Sequence, residues 1–166
     1  MNETQVSEFL ASLPPKPGAV VKSGEFPVGV IGLDHGHIGG MCAGLRAAGA
    51  DIVLVYDRDT KKAEDFAAKY GARAAASAEE VLSHPDIRMI ASATVPWERG
   101  TLGIAAMRHS KDYFVDKTPF TQIEQLDEAR RVCRETGRRY FCYFSERLHT
   151  ESGILAGYLL DTGVIG

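Results

Sequence analysis

With 166 residues, 45% of them hydrophobic and 25% charged, the chain has the makeup of one globular domain, long enough to bury a core without disulfide or metal staples. A formal net charge of -3, with no acidic or basic tail, gives no reason to expect nucleic acid as a partner. Cys42, Cys133 and Cys142 are odd in number and widely spaced, which reads as reduced thiols of a cytoplasmic protein; no stretch approaches the roughly 20 apolar residues of a membrane span, and no secretion signal opens the chain.

Residues 1–25 read as an N-terminal arm, in which "TQVSEFLASL" has the makings of a short helix that Pro14, Pro15 and Pro17 stop. From Phe26 onward, apolar strand-like runs alternate with helix-like stretches. The strands are expected at 28–31, 52–56, 72–76, 87–93, 113–115 and 140–144.

Helix boundaries carry their own signals. Ser77 with Glu80, and Thr121 with Glu124, have capping-box spacing, and Gly49, Gly71 and Gly137 stand where helices would end in a left-handed residue. After Thr121, Ile123, Leu126, Ala129, Val132 and Cys133 recur at helical spacing. Arg130, Arg131, Arg134, Arg138 and Arg139 are offset there by Glu124, Asp127, Glu128 and Glu135, which reads as a solvated helix face. The run Tyr140, Phe141, Tyr143, Phe144 reads as a buried strand, and Cys42 and Cys133 as packing residues. Apolar strands separated by helices imply a doubly wound α/β fold with a mainly parallel six-stranded sheet.

In such a sheet the end of the first strand meets a helix start, where free N–H groups and the helix dipole favour an anion. "VIGLDHGHIGG" lies there. Gly32, Gly36 and Gly39 give room for a close approach to a pyrophosphate, with Asp34 standing where the usual G-x-G-x-x-G has its second glycine. His35, His37 and Ile38 share the loop with them. A metal reading of the two histidines, with Asp34 as a third ligand, competes with a plain polar turn. No compact group of Cys, His or carboxylate residues accompanies them in sequence, so no metal is expected.

One βα unit further on, "IVLVYDRD" ends a strand at Asp57. A carboxylate at that place accepts hydrogen bonds from an adenosine ribose and repels a 2'-phosphate, whereas Arg58 would attract one. NAD is therefore the expected cofactor, with NADP still open. The competing reading makes Asp57 and Asp59 simple caps of the next helix.

The segment "YFVDKTPFTQIEQLDEARRVCRETGRRYFCYFSERLH", taken with "GLDHGHIGG", "VYDRD" and "MIASATVP", resembles the glucose-fructose oxidoreductase and inositol dehydrogenase family, Gfo/Idh/MocA. The family's Glu-Lys-Pro is matched by Asp116, Lys117 and Pro119, with Thr118 inserted between lysine and proline. Where many members have Asn and His after the proline of the fourth strand, Pro96 is followed here by Trp97, Glu98 and Arg99.

The resemblance implies a Rossmann domain over residues 26–150, with 151–166 as a linking helix and the opening of a second α/β domain that the chain lacks. It implies that Ala93, Thr94, Pro96, Asp116 and Lys117 join the loop in holding the dinucleotide. It also implies that Lys117 polarises the reacting oxygen or exchanges its proton. His149 is a second candidate for catalysis, and Ser145, Glu146 and Arg147 are candidates for the pocket. The implied activity is hydride transfer on a sugar, polyol or related hydroxyl compound by a full-length, homo-oligomeric enzyme, the present segment being inactive alone. Two rivals remain: a nicotinamide-nucleotide binding module without catalysis, and an S-adenosylmethionine-dependent methyltransferase domain.

Overall fold

The computed structural model describes residues 3–12, 18–145 and 151–164. Helix α1, Glu3–Ser12, lies in the arm. The elements that follow are β1 (Pro27–Ile31), α2 (His37–Ala47), β2 (Asp51–Tyr56), α3 (Thr60–Tyr70), β3 (Arg73–Ala74), α4 (Ala78–Ser83) and β4 (Met89–Ser92). After them come α5 (Pro96–Arg108), β5 (Asp112–Asp116), α6 (Ile123–Thr136), β6 (Tyr140–Tyr143) and α7 (Glu151–Asp161).

All six strands anticipated from sequence are present in one sheet of order β3-β2-β1-β4-β5-β6, every pairing parallel. Parallel pairing requires crossovers, and the helices provide them on both faces. One face buries Val28, Val30, Met41, Cys42 and Ala63; the other buries Ile31, Leu54, Val81, Ile90 and Tyr113. Burial pushes the Cys42 thiol up to about 12, in keeping with its packing role. At Gly103 helix α5 comes so near the sheet that a Cβ would lie 2.3 Å from the Tyr140 ring and 2.5 Å from that of Tyr113. Only a residue without a side chain permits that spacing.

Gly71 and Gly137 cap α3 and α6 in the left-handed region as expected, and Gly49, just past α2, has φ of +99°. Ser77 caps α4 by accepting from the Glu80 N–H, while the Glu80 carboxylate reaches back to the N–H of Ala76 rather than that of Ser77. The second capping box does not form: α6 begins at Ile123, and Gln125 Oε1 takes the Thr121 N–H.

Two expectations about burial are corrected. Strand β6 is the last in the sheet order, so Phe141 is 40% exposed, and Phe144 just beyond it is 51% exposed. Ile123, counted with the apolar stripe of α6, is 63% exposed because that helix packs on α5 through Ala129 and Val132 further along. The basic residues of α6 are solvated and paired as expected, Arg131 bridging Glu128 and Glu135.

Candidate functional site

The strand order reverses direction between β1 and β4, which leaves a crevice beyond the carboxyl ends of those strands where doubly wound sheets take their ligands. The chain folds the glycine loop over this crevice with backbone bonds. Gly32 N donates to Tyr56 O at 2.9 Å, Ala93 N to Gly32 O at 3.1 Å, and His35 N to Ala93 O at 3.0 Å.

The three loop glycines divide by role. Gly32 has φ of +81°, and a Cβ there would sit 2.6 Å from Thr94 Cβ. At Gly36 and Gly39 a Cβ would meet nothing within 4 Å. The fold's own packing does not require glycine at either place, and the bare backbone there leaves space for a bound group. Helix α2 starts immediately after with no side-chain cap and no acid in its first turn, so its positive end is not neutralised locally. Ile38 is turned inward and buried in the core, its N–H facing His35 O at 3.3 Å.

Asp57 is 8% exposed and does two jobs that the sequence does not show. Its Oδ2 accepts the Leu33 N–H at 2.7 Å and its Oδ1 the Asp59 N–H at 2.9 Å. The capping role in α3 belongs to Asp59, which accepts from Lys62 N. Asp57 thus ties the loop after β1 to the turn after β2, and it borders a recess of about 170 Å³ whose walls include Asp34, Arg58, Thr94, Glu98 and Leu102.

Asp34 finds its partner there. Thr94 Oγ1 lies 3.2 Å from Asp34 Oδ2 and 3.0 Å from Glu98 Oε2, so one hydroxyl serves two carboxylates. Glu98 in turn holds the Arg58 guanidinium at 2.5 Å and, with its charge nearby, raises the arginine's pKa. The recess is bordered by three carboxylates and one arginine that is already engaged. Pro96 opens α5 and Ala93 is fully buried at the end of β4, so both shape the crevice through the backbone.

On the other side of β4, Asp116 ends β5 at 1% exposure. His35 Nδ1 lies 3.1 Å from its Oδ2 and His37 Nδ1 2.9 Å from its Oδ1. Arg99, 3% exposed, completes the group from beneath: Nη2 is 3.3 Å from Asp116 Oδ2, and Nε donates to Thr94 O at 2.7 Å. Its Nη1 faces the carbonyl oxygens of Asp116, Lys117 and Thr118. The turn carrying Lys117, in which the Lys117–Thr118 peptide is cis, is therefore gripped by a buried guanidinium. Lys117 itself is half-buried, and its N–H donates to Asp116 Oδ1 at 2.9 Å.

The structure thus gathers Gly32, Asp34, Asp57, Arg58 and Thr94 at one recess and His35, His37, Asp116 and Lys117 at a second point along the same sheet edge. His149, Glu146 and Arg147 lie outside the described residues; Ser145 is half-buried just past β6. Sequence reasoning missed the roles of Glu98 and Arg99. The available signal was a pair of charges in the first turn of a helix that otherwise packs against the sheet.

Comparisons with known proteins agree with this architecture. The sequence model of the Gfo/Idh/MocA oxidoreductase family, with an NAD-binding Rossmann fold, matches residues 26–144. No curated protein sequence matches. A protein from Erwinia carotovora atroseptica SCRI1043, described as an oxidoreductase, is 37% identical over 85% of this chain and 43% of its own, with a TM-score of 0.79.

Two more distant structures share the fold. GenD2 from gentamicin A biosynthesis, solved with NAD, is 19% identical over 93% of this chain and 44% of its own, with a TM-score of 0.78. KijD10, a 3-ketoreductase from Actinomadura kijaniata solved with NADP and TDP-benzene, is 23% identical over 85% of this chain and 45% of its own, with a TM-score of 0.73. The chain spans less than half the length of each of these proteins.

Proposed function

Since the chain belongs to the Gfo/Idh/MocA oxidoreductase family, we propose that it is the dinucleotide-binding part of an enzyme moving hydride between a nicotinamide and a sugar, polyol or related hydroxyl compound. Residues 26–150 form that part and 151–166 lead into a substrate domain. The observation that carries this reading is the recess at the strand-order reversal, where Asp57 both fixes the glycine loop and borders the space an adenosine ribose would fill.

Bound nicotinamide supplies the hydride chemistry; the chain supplies place and charge. The open backbone at Gly36 and Gly39 and the uncapped start of α2 suit a pyrophosphate. The turn gripped by Arg99 presents Lys117 at the end of β5, where an ammonium group favours developing negative charge on a substrate oxygen.

The protein's single tryptophan tests the reading. Trp97 is 64% exposed and adjoins Glu98, which borders the recess. Titration with NADH is expected to quench Trp97 emission and excite the nicotinamide in its place, while S-adenosylmethionine leaves the emission unchanged. No response to NADH or NADPH, in emission or in melting temperature, overturns the proposal.

The charge arrangement favours NAD over NADP. Asp34, Asp57 and Glu98 repel a 2'-phosphate, and Glu98 occupies the one arginine at hand that would receive it. Glu98→Gln is expected to free Arg58 and move the NADPH-to-NADH affinity ratio toward NADPH by roughly tenfold, about 1.4 kcal/mol. An unchanged ratio in parallel titrations would show that Glu98 does not set the preference.

A further inference from the structure

The histidines of the glycine loop and the last residue of β5 form a cluster that dinucleotide binding does not require. His35 Nδ1, His37 Nδ1 and an Asp116 oxygen all lie within 4.8 Å of one another. The two imidazole rings meet edge to face, with centroids 4.3 Å apart, and both direct Nδ1 at the same carboxylate. We propose that these three side chains bind a divalent transition-metal ion of the borderline class, such as Zn²⁺ or Co²⁺.

The hydrogen-bond accounting supports a cation between them. Each Asp116 oxygen already has one donor: the Lys117 N–H at 2.9 Å on Oδ1 and Arg99 Nη2 at 3.3 Å on Oδ2. What remains on each oxygen faces an imidazole nitrogen. His35 Nδ1 also stands in the acceptor position for the His37 N–H, at 3.4 Å. A nitrogen that accepts there carries no proton, and an unprotonated nitrogen 3.1 Å from a carboxylate oxygen sets lone pair against lone pair. A shared cation removes that conflict.

Two imidazoles and one carboxylate are the donor set of a borderline divalent metal. The Asp116 carboxylate is held in orientation by Arg99 and the backbone, as carboxylate ligands generally are. His35 and His37 are 53% and 33% exposed, so the coordination positions left over open to solvent and to an incoming oxygen. Asp116 is also paired with Arg99, so the ion's positive charge is left largely unbalanced and those positions favour an anionic oxygen.

Titration of the protein with Co²⁺, followed by its visible d–d absorption, and with Zn²⁺, followed by calorimetry, tests the assignment. A single ion per chain is expected to bind. His35→Ala and His37→Ala are each expected to weaken it by about tenfold or more, while His109→Ala, which is remote from the cluster, leaves it unchanged. Both target histidines are partly exposed, so their variants should keep the wild-type melting curve, and neither test needs Asp116 replaced. Absence of saturable binding, equal binding by the histidine variants, or a thiolate-to-cobalt band abolished by Cys142→Ser would each overturn it. The proposal stands apart from the dinucleotide reading, since NADH binding is measured without metal.

Discussion

Arg99→Leu should unfold at markedly lower urea concentration than the parent, with a loss of about 3–5 kcal/mol. The side chain is 3% exposed and its partner Asp116 1%, so truncation leaves a carboxylate in the interior without its counter-charge. It also releases four carbonyl groups at once, that of Thr94 after β4 and those of Asp116, Lys117 and Thr118 after β5. These carbonyls belong to two adjacent strand ends, so the loss falls on the crevice as well as on stability. Arg99→Lys restores a charge but a single ammonium group does not match the planar fork that serves both turns, and it should recover only part of the deficit. A midpoint shift worth less than about 1 kcal/mol for Arg99→Leu would mean that water or a rearranged His37 compensates Asp116, and the clamp described above would be wrong.

The second large effect is expected at Gly32. With φ of +81° the backbone occupies a region that disfavours any Cβ, and the added atom would lie 2.6 Å from Thr94 Cβ and 3.1 Å from Thr94 Cα. The chain has nowhere to retreat, because Gly32 N and O are bonded to Tyr56 and Ala93 on either side. Gly32→Ala should therefore cost on the order of 2–4 kcal/mol in stability and weaken NADH binding where folded protein remains. Gly36→Ala is the informative comparison. It has φ of -61° and open space around it, so it should leave the melting temperature near that of the parent while still obstructing the nucleotide. Equal destabilisation by the two substitutions would contradict the division of roles within the loop.

The sheet was legible from sequence because strands buried on both faces are apolar throughout, and β1, β2, β4 and β5 are of that kind. The edges were less so. Expected at 72–76, β3 pairs only at Arg73 and Ala74, and β6, read as buried, turned out half-open because nothing in a run of aromatics says which strand ends the sheet. The second capping box failed for a local reason: Gln125 competes with Glu124 for the same end of α6 and wins.

At the site, Asp57 was readable as an acid ending a strand, but its bond to Leu33 was not, nor was the pairing of Asp34 with Thr94. These depend on strands brought side by side. The same holds for His37 and Asp116, which stand 79 positions apart and meet only once β5 lies next to β4. A search for ligands near in sequence had no access to that carboxylate.

The double engagement of Asp57 bears on attempts to redesign cofactor preference. In an enzyme where the strand-end acid only faces the ribose, replacing it is the direct route to accepting a phosphorylated nucleotide. Here the same carboxylate holds Leu33 and Asp59 in place, so its removal slackens the turn that must seat either nucleotide. The adjustable position is across the recess, on α5, where a change at Glu98 alters the charge a nucleotide meets and leaves the loop's anchor intact.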